Sequence, residues 1–312
     1  MEAWLYVIGG LVALGIGGDI LVRGAVALAS RLGISALIVS LTVVAFGTSA
    51  PEMLIGIKSA LDGIPELAIG NVVGSNTANV LLVLGVPAVL TGLAAQSKGC
   101  SLNFYLMMGA TIAFLALAMT QPFLWWQGVV LLALLAAILY YSFITASNDK
   151  ELREEFEEEV EDEELPGWKL AAFLAIGIIV LPIGAAFLVE GASEIAESFG
   201  VPEAIIGLTL VALGTSLPEL ATTVAAGFRK QGDVAFGNVL GSNIFNLLAI
   251  IGVTSLVAPV PVPKEFFHVD FWVMLASSAI LFPFVIWHKP MGRVWGLVFV
   301  GLYVAYVIFL LG

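Results

Sequence analysis

The sequence predicts an all-α polytopic membrane protein with ten transmembrane helices, arranged as two inverted five-helix repeats. Two observations support this fold class. Hydrophobic residues make up 60% of the 312 residues, charged residues only 12%, and the mean hydropathy is +1.05, which lies far from the composition of a soluble domain. A motif in the first half of the chain also returns in the second half. Almost no length remains for a soluble domain.

The ten predicted helices correspond to ten apolar stretches, each about the length that crosses a bilayer. Their approximate bounds are 4–30, 35–58, 66–92, 102–120, 123–146, 168–197, 202–227, 233–258, 268–287 and 292–311. Five stretches precede the most polar segment of the chain and five follow it.

That polar segment, 148–167, separates a first repeat half, 1–147, from a second, 168–312. Residues 148–166 hold eleven acidic and two basic side chains, so their net charge of −9 supplies most of the −12 of the chain. We interpret the segment as a solvated, self-repelling linker, with a regulatory cation sensor as the alternative. The low pI therefore says little about an acidic binding surface, and we expect no nucleic-acid partner.

The positions of the Lys and Arg residues predict the orientation of the helices, because cytoplasmic loops retain positive charge. With the amino terminus outside, ten of the twelve basic residues lie at or near the cytoplasmic side, and only Lys58 and Lys264 lie outside. We therefore expect an integral, multi-pass protein of the cell (plasma) membrane. Both termini would be external and the acidic linker cytoplasmic.

The two halves are related by an internal duplication. An offset of 167 residues aligns 34–85 with 201–252 without a gap and gives 20 identities in 52 positions. Because each half holds an odd number of spans, the second copy must enter the membrane in the opposite orientation. Inverted repeats place a substrate near the midplane, where the halves meet on interrupted helices. Transport is therefore the predicted functional class.

The first duplicated motif places a glutamate inside an apolar span. It reads VVAFGTSAPE at 43–52 and LVALGTSLPE at 210–219. A charge at membrane depth costs at least about 2.5–3.5 kcal/mol, so such a residue usually faces a cavity, a partner or an ion. On a continuous helix, the polar positions of each copy would form one stripe. These positions are Ala45, Thr48, Ser49 and Glu52 in the first copy and Ala212, Thr215, Ser216 and Glu219 in the second.

The second duplicated motif is rich in Asn, Ser and Gly. It reads GNVVGSNTAN at 70–79 and GNVLGSNIFN at 237–246. We expect the glycines to permit close helix packing. The polar side chains share one helical face in each copy, and we expect them to coordinate ions or water, with interhelical hydrogen bonding as the rival interpretation. They are Asn71, Ser75 and Asn79 in the first copy and Asn238, Ser242 and Asn246 in the second.

Carboxylate, hydroxyl and carbonyl oxygens together form the ligand set of a hard cation such as Ca²⁺, which takes six to eight oxygens. Two glutamates from opposite halves would neutralise one divalent ion. The same oxygens could instead hold Na⁺ with waters, or the carboxylates could exchange protons. The charge balance favours Ca²⁺ as a transported ion over a site for monovalent ions alone.

The motifs GTSAPE with GNVVGSNTAN and GTSLPE with GNVLGSNIFN resemble the two alpha repeats of the sodium/calcium exchanger family, within the cation/calcium exchanger superfamily. The resemblance covers both repeats in order, and the five-plus-five layout with a cytoplasmic linker fits the whole chain. It implies a secondary active antiporter that exchanges Na⁺ for Ca²⁺ electrogenically. The ions would bind midway between the repeats, and helices one and six would slide past a fixed core.

The resemblance also implies a set of ion ligands. They are Glu52, Glu219, Thr48, Ser49, Thr215, Ser216, Ser75 and Ser242, the backbone carbonyls of Ala45 and Ala212, and the remaining polar positions Asn79 and Asn246. Some family members, including potassium-dependent ones, have Asp at the position of Asn246. The amide in this chain argues against a requirement for K⁺.

Three other functions are alternatives to Na⁺/Ca²⁺ exchange. A Ca²⁺/H⁺ antiporter of the same superfamily usually has a G-N-x-x-E pattern without the hydroxyl cluster present here twice. An intramembrane hydrolase would need a base beside Ser49 or Ser216, and no duplicated His or Lys lies near either residue. A channel commonly builds its filter around a symmetric axis. We therefore expect a transporter without enzymatic activity or cofactor, complete as a monomer in the lipid bilayer.

Overall fold

The computed structural model describes residues 2–120, 122–148, 165–200 and 212–311. Within these ranges the chain is almost entirely helical, as the sequence predicts. The helices are α1 (Glu2–Leu32), α2 (Ala36–Thr48), α3 (Ala50–Leu61), α4 (Glu66–Leu90), α5 (Lys98–Ala118), α6 (Trp125–Asn148), α7 (Gly167–Ser198), α8 (Leu217–Phe228), α9 (Gly232–Val257), α10 (Asp270–Val285) and α11 (Arg293–Leu311). A short turn, Ala212–Gly214, precedes α8.

Among the described residues, seven helices are long and apolar enough to cross a membrane, or eight if the bent pair α2 and α3 forms one span. The predicted ninth span is the shorter apolar helix α10. The predicted seventh span, 202–227, begins outside the described residues. Most of the acidic linker also lies outside them. The multi-pass helical fold is confirmed, whereas the count of ten spans stays a prediction.

The first helices of the two halves, α1 and α7, pack backbone to backbone and run in opposite directions. Gly10 of α1 lies against Gly184, and Gly17, one heptad later in α1, lies against Gly177, one heptad earlier in α7. A Cβ atom added to Gly10 would lie only 2.6 Å from the amide nitrogen of Leu188, so glycine is needed for this approach. Opposite directions of equivalent helices are what inverted repeats require.

The two halves interlock at their ends. Leu93, at the end of the third predicted span, forms an antiparallel backbone bridge with Met291, before the tenth. Phe123 and Val260 form the corresponding bridge with the halves exchanged, since Leu93 and Val260 are related by the 167-residue offset. The last helix of each half accordingly packs against the third span of the other half. Neither half encloses a core of its own.

Helices α4 and α9 form the centre of the protein. In an apolar window of 18 residues, the buried share is 78% for α4 and 89% for α9, compared with 17% for α11. The peripheral helices instead expose large apolar side chains on their outer surfaces, as expected of helices that face lipid. The two helices that carry the Asn- and Ser-rich motif are thus the most protected elements of the fold.

Candidate functional site

The two motif glutamates lie at the beginnings of half-helices. Glu52 is in the first turn of α3 and Glu219 is in the first turn of α8, and both side chains are buried, with 1% and 0% exposure. Each half-helix starts at a serine with nearly the same backbone angles, φ −85° and ψ 5° at Ser49 and φ −85° and ψ 1° at Ser216. The duplication of sequence is therefore also a duplication of local geometry.

The break between α2 and α3 interrupts the helical stripe of the first motif, in agreement with the interrupted helices expected where inverted repeats meet. The two helices are bent by 44°, and Pro51 occupies the first turn of α3, where proline is tolerated because that amide has no partner within its helix. The positive end of each half-helix dipole stabilises a carboxylate in its first turn. Broken helices with charged residues at their free ends are typical of ion sites in transporters.

The carboxylates of Glu52 and Glu219 are close enough to repel each other. The structure thus brings the glutamates of the two repeats into one site, as the sequence predicts. Two negative charges buried together are stable only with compensation from cations, protons or hydrogen-bond donors. The surroundings of the two groups show which of these the protein itself supplies.

The Glu219 carboxylate is surrounded by hydroxyl groups, two of which come from the other repeat. The Ser49 hydroxyl donates a hydrogen bond of 3.2 Å to Glu219 Oε1. The side chains of Thr48 and Ser242 also lie close to this carboxylate. The predicted residues Thr48, Ser49, Ser242 and Glu219 therefore belong to one cluster, which no single repeat could form.

Asn238 ties this cluster together. Its Oδ1 atom accepts a hydrogen bond from the Thr48 hydroxyl at 3.4 Å, and its Nδ2 atom donates to the Glu219 carbonyl at 3.4 Å and to the Thr223 hydroxyl at 3.2 Å. The sequence placed Asn238 on the polar stripe but not among the predicted ligands. Its amide holds the broken end of α2 against α8, which is a positioning role.

The mirror-related cluster around Glu52 has far fewer internal hydrogen bonds. Thr215 lies close to the Glu52 carboxylate. However, the hydroxyl groups of Thr215 and Ser216 and the Nδ2 atom of Asn71 are buried without a hydrogen-bond partner among the described residues. The equivalent groups of the other cluster are Thr48, Ser49 and Asn238, all of which are bonded. The two halves of the site thus have equivalent side chains but different hydrogen bonds.

Most of the unpartnered buried atoms in the described part of the chain are oxygens of this site. A buried polar atom without a partner costs about 1–3 kcal/mol, so a cluster of such atoms indicates a ligand that satisfies them together. A hard cation needs several such oxygens, and the residues fit one well. The oxygens are Glu52 Oε2, Glu219 Oε2, Thr215 Oγ1, Ser216 Oγ, Ser242 Oγ, Asn79 Oδ1 and Asn246 Oδ1.

Among the described residues, the site has two carboxylates and no third acidic side chain in a metal-binding cluster with them. Across residues 2–120, 122–148, 165–200 and 212–311, no group of three or more His, Cys, Asp or Glu side chains could hold a metal. The other unpartnered oxygens of the site among the described residues belong to neutral hydroxyl and amide groups. Two negative charges would be balanced by one divalent or two monovalent cations, so the two kinds of ion compete for the same charge.

Asn79 and Asn246 begin π-helical turns at equivalent positions of α4 and α9. The turns are Asn79–Val83 and Asn246–Ile250, and such turns are frequent at functional sites because they re-aim side chains. Both asparagines are 1% exposed. The Asn79 amide nitrogen bonds Asn243, whereas the described residues provide a partner for neither polar atom of Asn246.

For the other predicted ligands, Ser75, Ala45 and Ala212, the described structure gives less evidence of ion binding. Ser75 is buried, with 4% exposure. The Ala45 carbonyl accepts hydrogen bonds from the Ser49 amide at 3.0 Å and the Thr48 hydroxyl at 3.3 Å, so it would have to exchange one of them to bind an ion. Ala212 begins the short turn Ala212–Gly214, just before the broken end at Ser216. Their roles as ligands stay predictions.

The duplicated glycines of the second motif pack closely in the second half. Gly237 lies against the Leu37 carbonyl, where an added Cβ atom would be 2.8 Å away, and Gly241 lies against Leu41 and Ala45. These contacts confirm the predicted packing role for Gly237 and Gly241. They allow α9 to pack closely against α2, which brings Ser242 and Asn238 to the broken end of α2. For Gly70 and Gly74, where an added Cβ atom would have no contact closer than 3.8 Å to the described residues outside its own helix, the packing role stays a prediction.

Comparison with known proteins identifies the family of this chain. A family model described as sodium/calcium exchanger protein matches residues 2–144 and 169–312. The sodium/calcium exchanger MaX1 of Methanosarcina acetivorans is 32% identical, over 96% of this chain and 96% of MaX1. The inner membrane protein YrbG of Escherichia coli (strain K12) is 33% identical, over 90% of this chain and 87% of YrbG.

Among solved structures, the sodium-calcium exchanger NCX_Mj soaked with zero Na⁺ and Ca²⁺ is similar to this chain with a TM-score of 0.84, 31% identity and 99% coverage of both chains. NCX_Mj soaked with 10 mM Na⁺ and 10 mM Sr²⁺ has a TM-score of 0.84 at 31% identity, with 98% of both chains covered. The likeness extends over nearly the whole length of both chains. The chain therefore belongs to the sodium/calcium exchanger protein family.

Proposed function

We propose that this protein exchanges Na⁺ for Ca²⁺ by alternating access, with both ions using one set of buried oxygen ligands around Glu52 and Glu219. Na⁺/Ca²⁺ antiport follows from membership of the family. The observation that carries the proposed site is the group of unpartnered buried oxygens beside two adjacent carboxylates. The proposed ligands are the twelve residues that the sequence predicts.

Charge explains why the two ions alternate. One Ca²⁺ neutralises Glu52 and Glu219 together, and Na⁺ ions can provide the same charge only by occupying the same oxygens. Coulomb attraction to a carboxylate scales with ionic charge, so removal of one glutamate weakens Ca²⁺ binding more than the binding of a single Na⁺. Competition for the carboxylates makes binding of Ca²⁺ and of Na⁺ mutually exclusive, and alternating access then couples the two gradients.

The pair formed by α1 and α7 is suited to move as one unit. The glycine contacts join the two backbones directly, and interiors packed at this density transmit displacement instead of absorbing it. The pair meets the core mainly along α8, which begins beside Glu219. A sliding movement of α1 and α7 against α8 would therefore change access to the site while the carboxylates stay in place.

The membrane topology of the exchanger is also a proposal in part. The protein is an integral, multi-pass membrane protein, and we place it in the plasma membrane with both termini outside and the acidic linker in the cytoplasm. The excess of Lys and Arg on one side supports this orientation. One chain contributes both halves of the site, so we expect a monomer to be sufficient for exchange.

The decisive experiment is uptake of radioactive Ca²⁺ into proteoliposomes loaded with Na⁺. Vesicles with an equal proton gradient and no Na⁺ test the Ca²⁺/H⁺ alternative. We expect uptake only with internal Na⁺ and its loss in Glu52→Gln and Glu219→Gln. Glu66→Gln is the matched control, because Glu66 is an exposed carboxylate at the start of α4, and it should transport normally.

Two results would contradict the proposal. Normal Na⁺-dependent uptake by either buried glutamine variant would remove the proposed site from the mechanism. Uptake driven by the proton gradient alone would identify a Ca²⁺/H⁺ antiporter on the same scaffold.

A further inference from the structure

The inference concerns two asparagines, Asn76 and Asn243, that lie beside the proposed ligands but are not among them. They are related by the 167-residue offset, and each is 1% exposed. Each also directs its amide nitrogen toward a methionine sulfur at an equivalent position, Met274 for Asn76 at 3.9 Å and Met107 for Asn243 at 3.8 Å. Their surroundings are thus closely matched.

Only Asn243 bonds a proposed ligand. Its Oδ1 atom accepts a hydrogen bond of 3.1 Å from Asn79 Nδ2. Its own Nδ2 atom donates to the backbone carbonyl of Asn76 at 3.3 Å. A rotated Asn243 amide would place its oxygen against that carbonyl oxygen, so the backbone contact determines which atom Asn243 presents to Asn79.

The orientation of Asn79 follows from that of Asn243. A rotated Asn79 amide would place its Oδ1 atom against the Asn243 Oδ1 atom, and two acceptors repel at hydrogen-bond distance. Asn79 Nδ2 therefore points to Asn243, and Asn79 Oδ1 stays buried without a partner in the described ranges. An amide oxygen held in this way can bind a cation without first losing a hydrogen bond.

The other repeat lacks this arrangement. Asn246, the counterpart of Asn79, has a partner for neither Nδ2 nor Oδ1 within the described residues, and Asn76 Oδ1 is also unpartnered there. The residues needed for an equivalent bond are present, yet the bond is absent from the described structure. Orientation by a neighbouring asparagine is therefore a property of one half of the site.

We propose that Asn243 is a positioning residue, which holds the Asn79 side chain with its Oδ1 atom free to bind the transported cation. This inference rests on the proposed function, because Asn79 is a ligand only in that proposal. Asn243 itself does not contact the ion. It acts by removing the cost of ordering the Asn79 amide when the ion arrives, which is a gain in affinity through preorganisation.

The test is equilibrium binding of radioactive Ca²⁺ to the purified full-length protein. Asn243→Leu keeps the branched shape of the side chain but removes the acceptor for Asn79, and we expect Ca²⁺ affinity to fall roughly two- to tenfold, the range of one hydrogen bond. Asn76→Leu is the matched control and should change affinity by less than about twofold. Asn243→Ala gives the same comparison if leucine is not accommodated.

A double variant separates positioning from a general structural effect. In an Asn79→Ala background, Asn243→Leu should reduce Ca²⁺ affinity by no more than about twofold, because its effect passes through Asn79. Equal losses for Asn243→Leu and Asn76→Leu, or a full additional loss in the double variant, would overturn the inference.

Binding requires no ion gradient, so the result is independent of vesicle transport. Wild-type protein that binds Ca²⁺ but does not exchange it for Na⁺ would contradict the proposed function and still allow the variants to be compared. Wild-type protein that binds no Ca²⁺ would overturn both proposals.

Discussion

The difference between the two serines at the helix breaks leads to a quantitative prediction. Ser49 and Ser216 occupy equivalent positions with nearly identical backbone angles, and both are 2% exposed. Ser49 donates a hydrogen bond of 3.2 Å to Glu219 Oε1, whereas the Ser216 hydroxyl has no partner in the described part of the chain. The same substitution at the two sites should therefore have different consequences.

A hydrogen bond to a charged group contributes about 1.5–3 kcal/mol, and an unpartnered buried hydroxyl costs about 1–3 kcal/mol. Ser49→Ala should accordingly lower the free energy of unfolding of the ion-free protein by about 1.5–3 kcal/mol. Ser216→Ala removes no hydrogen bond and should leave this free energy unchanged or raise it slightly. If both hydroxyls are ion ligands, each substitution should weaken Ca²⁺ binding.

The assay is thermal unfolding of the purified variants in detergent, first without Na⁺ and Ca²⁺ and then at saturating Ca²⁺. We expect the unfolding midpoint of ion-free Ser49→Ala to fall and that of Ser216→Ala to stay at or above the wild-type value. Stabilisation by Ca²⁺ measures binding and should decrease in both variants. Equal destabilisation of the ion-free variants, or greater destabilisation by Ser216→Ala, would refute the difference in bonding on which the reasoning depends.

Three further predictions test other parts of the fold. Gly10→Ala should destabilise the pair of α1 and α7 by about 1–3 kcal/mol and reduce Ca²⁺ uptake, because its Cβ atom would lie 2.6 Å from Leu188 N. Gly9→Ala is the control, since no atom of the described residues outside its own helix lies within 4 Å of the new Cβ atom; equal loss of uptake in both would contradict the packing argument. Removal of 151–164 should leave Na⁺-dependent uptake intact, and loss of uptake in a folded variant would assign the linker a role in transport. Asn246→Asp should alter the dependence of Ca²⁺ uptake on Na⁺ and K⁺, and an unchanged response would indicate a purely structural role for this position.

The sequence alone was sufficient to predict the fold class and the composition of the site. Apolar stretches of bilayer length and the 167-residue duplication are visible without coordinates, and the two motifs supply the carboxylates, hydroxyls and amides that lie together in the structure. These features are local in the chain. They depend on residue type and spacing, which the sequence states directly.

The sequence was less informative about local geometry. The sequence predicts interrupted helices where the repeats meet, but not the residue at which the break lies. In the structure the helix through Ala45 breaks at Ser49, and α3 begins anew with Pro51 in its first turn. Proline at that position is compatible with a kink within one helix and with the start of a second. Packing of α9 against α2 lies outside the motif itself, so the motif could not distinguish the two cases.

Only the tertiary structure decided which polar groups bond across the repeats. Ser49 with Glu219, Thr48 with Asn238, and Asn79 with Asn243 are pairs separated by more than 160 residues. The two copies of each motif share these residue types, so the sequence predicts the same bonding for both. Hydrogen bonds, however, depend on differences of a few tenths of an ångström in donor–acceptor distance. Such differences arise from the packing of whole helices, and here they bond Thr48 and Ser49 of one half, while the equivalent hydroxyls of Thr215 and Ser216 have no partner among the described residues.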